Sequence, residues 1–134
     1  MNRLQGNIAD IETSGNLSVV SVTINDQVLL KAIVVETPET ATYLRMSNQV
    51  SVLFKETEVI LGTGENHTIS VQNKIRGSII NIDKGTLLSK VRLNTVAGEI
   101  TAIVSTAAVI ELNLKLQLNV TAIIKLNEMM LSEL

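Results

Sequence analysis

Ser70-Val71-Gln72-Asn73-Lys74-Ile75-Arg76-Gly77 is a short polar opening that reaches a glycine and runs into Ser78-Ile79-Ile80-Asn81-Ile82. That apolar run reads as a strand, and Asp83-Lys84-Gly85 after it reads as a turn. The octet lies just past the middle of a 134-residue chain and has a counterpart at the start. Asn2-Arg3-Leu4-Gln5-Gly6-Asn7-Ile8 aligns with Asn73-Lys74-Ile75-Arg76-Gly77-Ser78-Ile79.

Two further blocks repeat in the same order, at an offset of about 70 residues, which marks a duplicated unit. Ala32-Ile33-Val34 matches Ala102-Ile103-Val104, and the stretch from Val50 to Leu61 matches that from Val120 to Leu131, with Lys55 on Lys125 and Glu58 on Glu128. The chain therefore divides into a first copy at 1–61, a linker at 62–69 holding Gly62 and Gly64, and a second copy at 70–134.

Each copy reads as short strands and one helical turn. In the second, the runs Lys74–Asp83, Leu87–Val96, Glu99–Ser105 and Val120–Leu126 are rich in Val and Ile, and Glu128–Leu131 reads as a short tail strand. Val96-Ala97-Gly98-Glu99 is a hairpin candidate, with Asn25-Asp26 as its analogue. Thr106–Leu112 has apolar residues at helical spacing; in the first copy Thr37 is placed to cap a short helix with Pro38 in its first turn. About five strands and one helix per copy is the layout of a small OB-like barrel. The expected fold is thus all-β, two tandem OB-like five-stranded barrels, each with one short helix. A unit of roughly 65 residues buries little apolar area alone, so the copies are expected to pack together or oligomerise.

Composition narrows the function. Apolar residues make up 46%, the net charge is −2, cysteine is absent, and Tyr43 and Phe54 are the only aromatics. The absence of cysteine excludes thiolate metal sites and a cysteine nucleophile. Base stacking along a basic groove lacks both its aromatics and its charge, which argues against an OB-type nucleic-acid binder. His67, the single histidine, lies in the linker, where a solvated side chain is expected; it has no partner for metal ligation or nucleophilic catalysis. No paired carboxylates and no phosphate loop are evident, so no enzymatic activity is expected. No apolar run is long enough to span a bilayer and no signal-peptide pattern opens the chain, so a cytoplasmic location without membrane contact is expected.

The opening and closing blocks carry a resemblance. Ser70-Val71-Gln72-Asn73 with Gly77, Glu99-Ile100-Thr101-Ala102-Ile103-Val104-Ser105, and Val120-Thr121-Ala122-Ile123-Ile124-Lys125 with Glu128-Met129-Met130-Leu131 are similar to motifs of the molbindin (Mop, or TOBE-type) family. Its members bind molybdate or tungstate and open with Ser-x-Arg-Asn-x-x-x-Gly. The second copy resembles the family along nearly its whole length, the first at Asn2, Gly6 and the Lys55 segment, so the whole chain resembles a tandem di-Mop protein. The resemblance implies a homotrimer with oxyanions between barrels, and a role in storage or homeostasis of molybdate or tungstate. An oxyanion-sensing module acting through a transporter or a transcription partner is the alternative, and a purely structural trimeric scaffold a further one.

Tetrahedral oxyanions only accept hydrogen bonds, so their site needs converging donors, modest positive charge and no adjoining carboxylate. The resemblance implies that the Ser70 hydroxyl, the backbone N–H groups of Val71 and Gln72, and Lys125 supply these, with Lys55 repeating Lys125. Asn73, like Asn2, is expected to hold the opening turn through backbone hydrogen bonds, with oxyanion contact as its second reading. Three departures stand out. Gln72 replaces the family's arginine, leaving Arg76 as a substitute cation. Ala108 and Pro38 replace its helix-entry serine, leaving Ser105 and Thr106 as nearby hydroxyls. No serine precedes Asn2, where the amino group of Met1 would have to serve.

Overall fold

The computed structural model describes all residues, Met1–Leu134. The first half contains β1 (Asn2–Ser14), β2 (Leu17–Ile24), β3 (Val28–Val34), β4 (Gln49–Phe54), a single 3-10 turn at Glu56–Glu58 and β5 (Ile60–Gly62). The second half repeats this order with β6 (Asn73–Lys84), β7 (Leu88–Thr95), β8 (Gly98–Ser105), the helix α1 (Thr106–Glu111), β9 (Asn119–Ile124), a 3-10 turn at Leu126–Glu128 and β10 (Met130–Glu133). No helix is long and apolar enough to cross a membrane.

Period-two burial explains the long strands. Asn2, Leu4, Gly6 and Ile8 face inward along β1, and Ser89, Val91 and Leu93 do so along β7. Both long strands break register at matching places, between Ile8 and Asp10 and between Ile79 and Asn81, as bulges that let a strand curve. The opening motif's glycine has a steric reason. A Cβ on Gly77 would lie 2.8 Å from Asn94 O, and one on Gly6 would collide with Thr23 O. The β2–β3 connection turns on Asn25 and Asp26, both at positive φ (53° and 58°), the conformation that tight hairpins favour and that these residue types tolerate.

The strands form two five-stranded antiparallel sheets, ordered β10-β4-β1-β2-β3 and β5-β9-β6-β7-β8. Each half therefore sends its last strand to the other half's sheet. Leu131 of β10 pairs with Val52 of β4, and Leu61 of β5 pairs with Ala122 of β9. One cluster of 27 buried apolar residues runs through both halves, and the exchanged tails bring Val59, Leu61 and Met129 into it. A half-sized unit's shortage of core is relieved by this sharing.

Two expectations change. The tail strand begins at Met130, because Leu126–Glu128 forms a 3-10 turn first. The chain holds one α-helix, not one per copy: Thr37–Ala41 forms hydrogen-bonded turns, with Thr37 O accepting from Thr40 N and Ala41 N. The Thr40 hydroxyl bonds both the N–H and the C=O of Thr37 (2.9 and 3.3 Å), which competes with helix propagation. Ala107 and Ala108 at the corresponding place offer no such competition, and Ser105 caps α1 by accepting from Ala108 N at 3.1 Å.

Candidate functional site

Strand pairing brings opening and closing blocks together twice. In the second half Asn73 pairs with Ile124, which sets Gln72 beside Lys125 where the β6–β9 ladder ends. In the first half Asn2 pairs with Phe54, which sets Met1 beside Lys55. Lys125 and Lys55 each precede a 3-10 turn, in extended backbone that ends the strand, and both are exposed.

The two asparagines do something the sequence did not suggest. Asn73 is 1% exposed, and its Oδ1 accepts from Lys31 N at 2.7 Å while its Nδ2 donates to Lys31 O at 2.8 Å. Asn2 does the same to Thr101, with 2.9 Å to the N–H and 2.8 Å to the carbonyl. Each side-chain amide thus completes the outer edge of a strand in the other half, β3 or β8, instead of holding its own opening turn. An unpaired edge is a liability, and these contacts cover it at one residue each.

This sorts the expected site residues into two stations. Asn73 adjoins β3, with Gln72 and Lys125 next to it at the end of the β6–β9 ladder and Ser70 and Val71 preceding it in the chain. Lys55 and Met1 adjoin β8, the strand that runs on from Thr101 to Ser105 and into α1 at Thr106. Ser105 and Thr106 therefore belong to the strand anchored by Asn2, not to the one beside Ser70. Thr106 is buried, its hydroxyl donating to Gly85 O at 2.9 Å and lying 2.8 Å from Ser89 Oγ. Ser105 is exposed and keeps its hydroxyl proton while capping α1.

Electrostatics separates the stations. The Met1 amino group lies 3.9 Å from Glu56 Oε2, so the cation of the first station already faces a carboxylate. Leu126 occupies the corresponding place in the second station. The chain's other ion pair, Arg92 Nε to Glu99 Oε1 at 3.4 Å, leaves Lys125 without a carboxylate partner. Ser70 and Gln72 are exposed, Val71 is half-buried, and the Val71 and Gln72 N–H groups precede the β6 ladder and join no backbone hydrogen bond. A hydroxyl, two open amides and a lysine with no ion-pair partner are donors of the kind that suit an oxyanion, with Glu128 the nearest acid in sequence, three residues after Lys125 in the 3-10 turn.

Arg76 is not part of that set. Its Nη2 donates to Glu65 O at 3.2 Å, and Lys74 Nζ donates to His67 O at 2.7 Å, so both cations tie down the connecting segment. His67 is not the solvated linker residue expected. It is half-buried over Gly62, where an added Cβ would meet its Cε1 at 2.8 Å, and its Nε2 is enclosed without a partner. Further along the β3 side, Tyr43 donates to Glu36 Oε1 at 2.5 Å. Burial, then the Glu36 bond and charge, then Glu133, push the Tyr43 hydroxyl well above the usual phenol range, so it stays a proton donor. No three His, Asp or Glu residues are grouped to hold a metal ion.

Comparison with known proteins bears on the fold and on the second half of the sequence. No curated protein sequence matches the chain. Among solved structures, the cytoplasmic molybdate-binding protein ModG, in a form with molybdate bound, has the same fold: TM-score 0.90 and 24% identity over 99% of this chain and 96% of that one. In sequence, residues 69–131, which include the Ser70 opening and Lys125, match the TOBE domain.

Proposed function

We propose that this protein binds molybdate or tungstate without transforming it, in the cytoplasm, as a store or buffer of the oxyanion. The observation that carries the reading is the run of open donors at the second station, Ser70 to Gln72 beside a Lys125 with no ion-pair partner, anchored on β3 by Asn73. Support comes from the TOBE match over the same residues and from the fold shared with a protein that binds molybdate. The two copies, 1–61 and 70–134 about the connecting segment, act as paired binding units within a homotrimer. That assembly also accounts for apolar side chains left on the surface, such as Leu87 (80% exposed), Val35 (73%) and Ile110 (63%).

Hydroxyls and backbone amides recognise the oxygens, while Lys125 supplies charge. Sulfate carries the same charge on a smaller tetrahedron, so a rigid donor set spaced for the larger ions holds it less well. Titration calorimetry with molybdate, tungstate and sulfate tests this. Saturable heat from the first two and at least tenfold weaker sulfate binding is expected; no heat from molybdate or tungstate overturns the reading.

A further inference from the structure

Beside the glycine of the second opening lies a cavity of about 490 Å³. Strand register builds its floor. Ser78 of β6 stands opposite Asn94 of β7 on one side and Asn119 of β9 on the other, so three polar residues line up across three strands. Arg76, two residues earlier on β6, shares their face. The connecting segment at Glu65 closes one side and Val96 another. Arg76 is held at the rim by its bond to Glu65 O, and no carboxylate pairs with its guanidinium. The side chains of Ser78, Asn94 and Asn119 are not engaged with other groups of the chain.

The repeat supplies an internal control. The matching cavity of the first half, about 280 Å³, has the row Thr23, Asn7, Gln49 on the same register. Gln5 stands there in place of Arg76, and Asp26 adds a carboxylate. Three of its polar side chains are already engaged: Asn7 Nδ2 donates to Ser47 O (3.0 Å), Thr23 Oγ1 to Asn7 O (3.2 Å) and Asn25 Nδ2 to Val96 O (3.1 Å). The first cavity holds a carboxylate and no cation. The second sets the guanidinium of Arg76, which has no ion-pair partner, beside Glu65 and three open hydrogen-bonding side chains.

We propose that the cavity at Arg76 binds a small organic monocarboxylate bearing hydroxyl or amino groups. The guanidinium fork matches a carboxylate in two parallel hydrogen bonds. Glu65 on the rim disfavours a ligand of higher negative charge. The volume is far larger than a bare oxyanion requires, and the two amides with the Ser78 hydroxyl present donors and acceptors together, which calls for a ligand carrying both. Arg76 is committed away from Ser70, so this site is separate from the oxyanion station and stands without it.

Amide chemical shifts of the intact 15N-labelled protein test the proposal, with gluconate as probe and sorbitol as its uncharged counterpart. Gluconate should give saturable shifts at Gly64, Gly77, Asn94 and Asn119, with Gly6, Asn7 and Gln49 unmoved, and sorbitol should bind at least tenfold more weakly. Arg76→Gln, which installs the first cavity's residue, should abolish the response, and Asn119→Asp should weaken it. Absence of saturable gluconate shifts overturns the proposal. So does an unchanged response in Arg76→Gln.

Discussion

The two halves repeat the same strands, bulges and asparagine clamps, yet their stations differ in charge. At the first, the amino group of Met1 faces Glu56; at the second, Leu126 replaces the acid and Ser70-Val71-Gln72 leads into the clamp. A duplicated fold thus keeps its mechanical parts, which both halves need to fold, while its surface donors diverge. The clamps are buried and committed; the lysines and hydroxyls are exposed and cost little to change.

Breaking a clamp should have the largest effect. Asn73→Ala leaves the Lys31 N–H and C=O without partners at a nearly buried position, which costs about 2–3 kcal/mol in urea or thermal unfolding. Asn2→Ala, at 6% exposure against 1%, should cost somewhat less, and a neutral outcome for both would show the clamps to be incidental.

Charge removal comes next. Lys125→Ala should weaken molybdate binding about tenfold, or about 1.4 kcal/mol, while stability changes little because the side chain is exposed. Arg45→Ala provides the control: its Nη1 bonds the carbonyls of Pro38 and Leu44, away from both stations, so affinity should be unchanged.

Two smaller changes sharpen the contrast. Gln72→Arg should raise affinity at the second station severalfold by adding a charge-assisted donor, about 1 kcal/mol. Glu56→Leu, copying Leu126 into the first station, should recover a fraction of that there by removing the half-buried carboxylate that faces the Met1 amino group. Both are read by calorimetry at low and at physiological salt, where the gain should shrink as screening increases.

Much of this fold is written locally. The strand alternation, the glycines at crowded crossings and the Asn25-Asp26 turn all follow from short-range sterics and burial, and they are legible in the chain. The strand exchange is not. Val59-Ile60-Leu61 and Met129-Met130-Leu131 present the same pattern to either sheet, so their sequence is silent on which half they join. Nor does the sequence tell whether Asn73 bonds its own turn or Lys31, since an amide serves either. The missing helix at Thr37 hung on one competing hydroxyl, that of Thr40, outweighing a favourable cap and proline. Of the site, the opening and closing blocks themselves are legible in the sequence, while the meeting of Gln72 and Lys125 comes from the β6–β9 register. The assignment of Ser105 and Thr106 to the opposite station needed the three-dimensional path of β8.

The central claim is that the second station is the stronger oxyanion site. Titration calorimetry of molybdate into the wild-type protein, Lys125→Ala and Lys55→Ala tests it most directly. The high-affinity heat should be present in the wild type, retained in Lys55→Ala and lost or shifted tenfold in Lys125→Ala. Equal losses in the two variants, or a larger loss in Lys55→Ala, would contradict it.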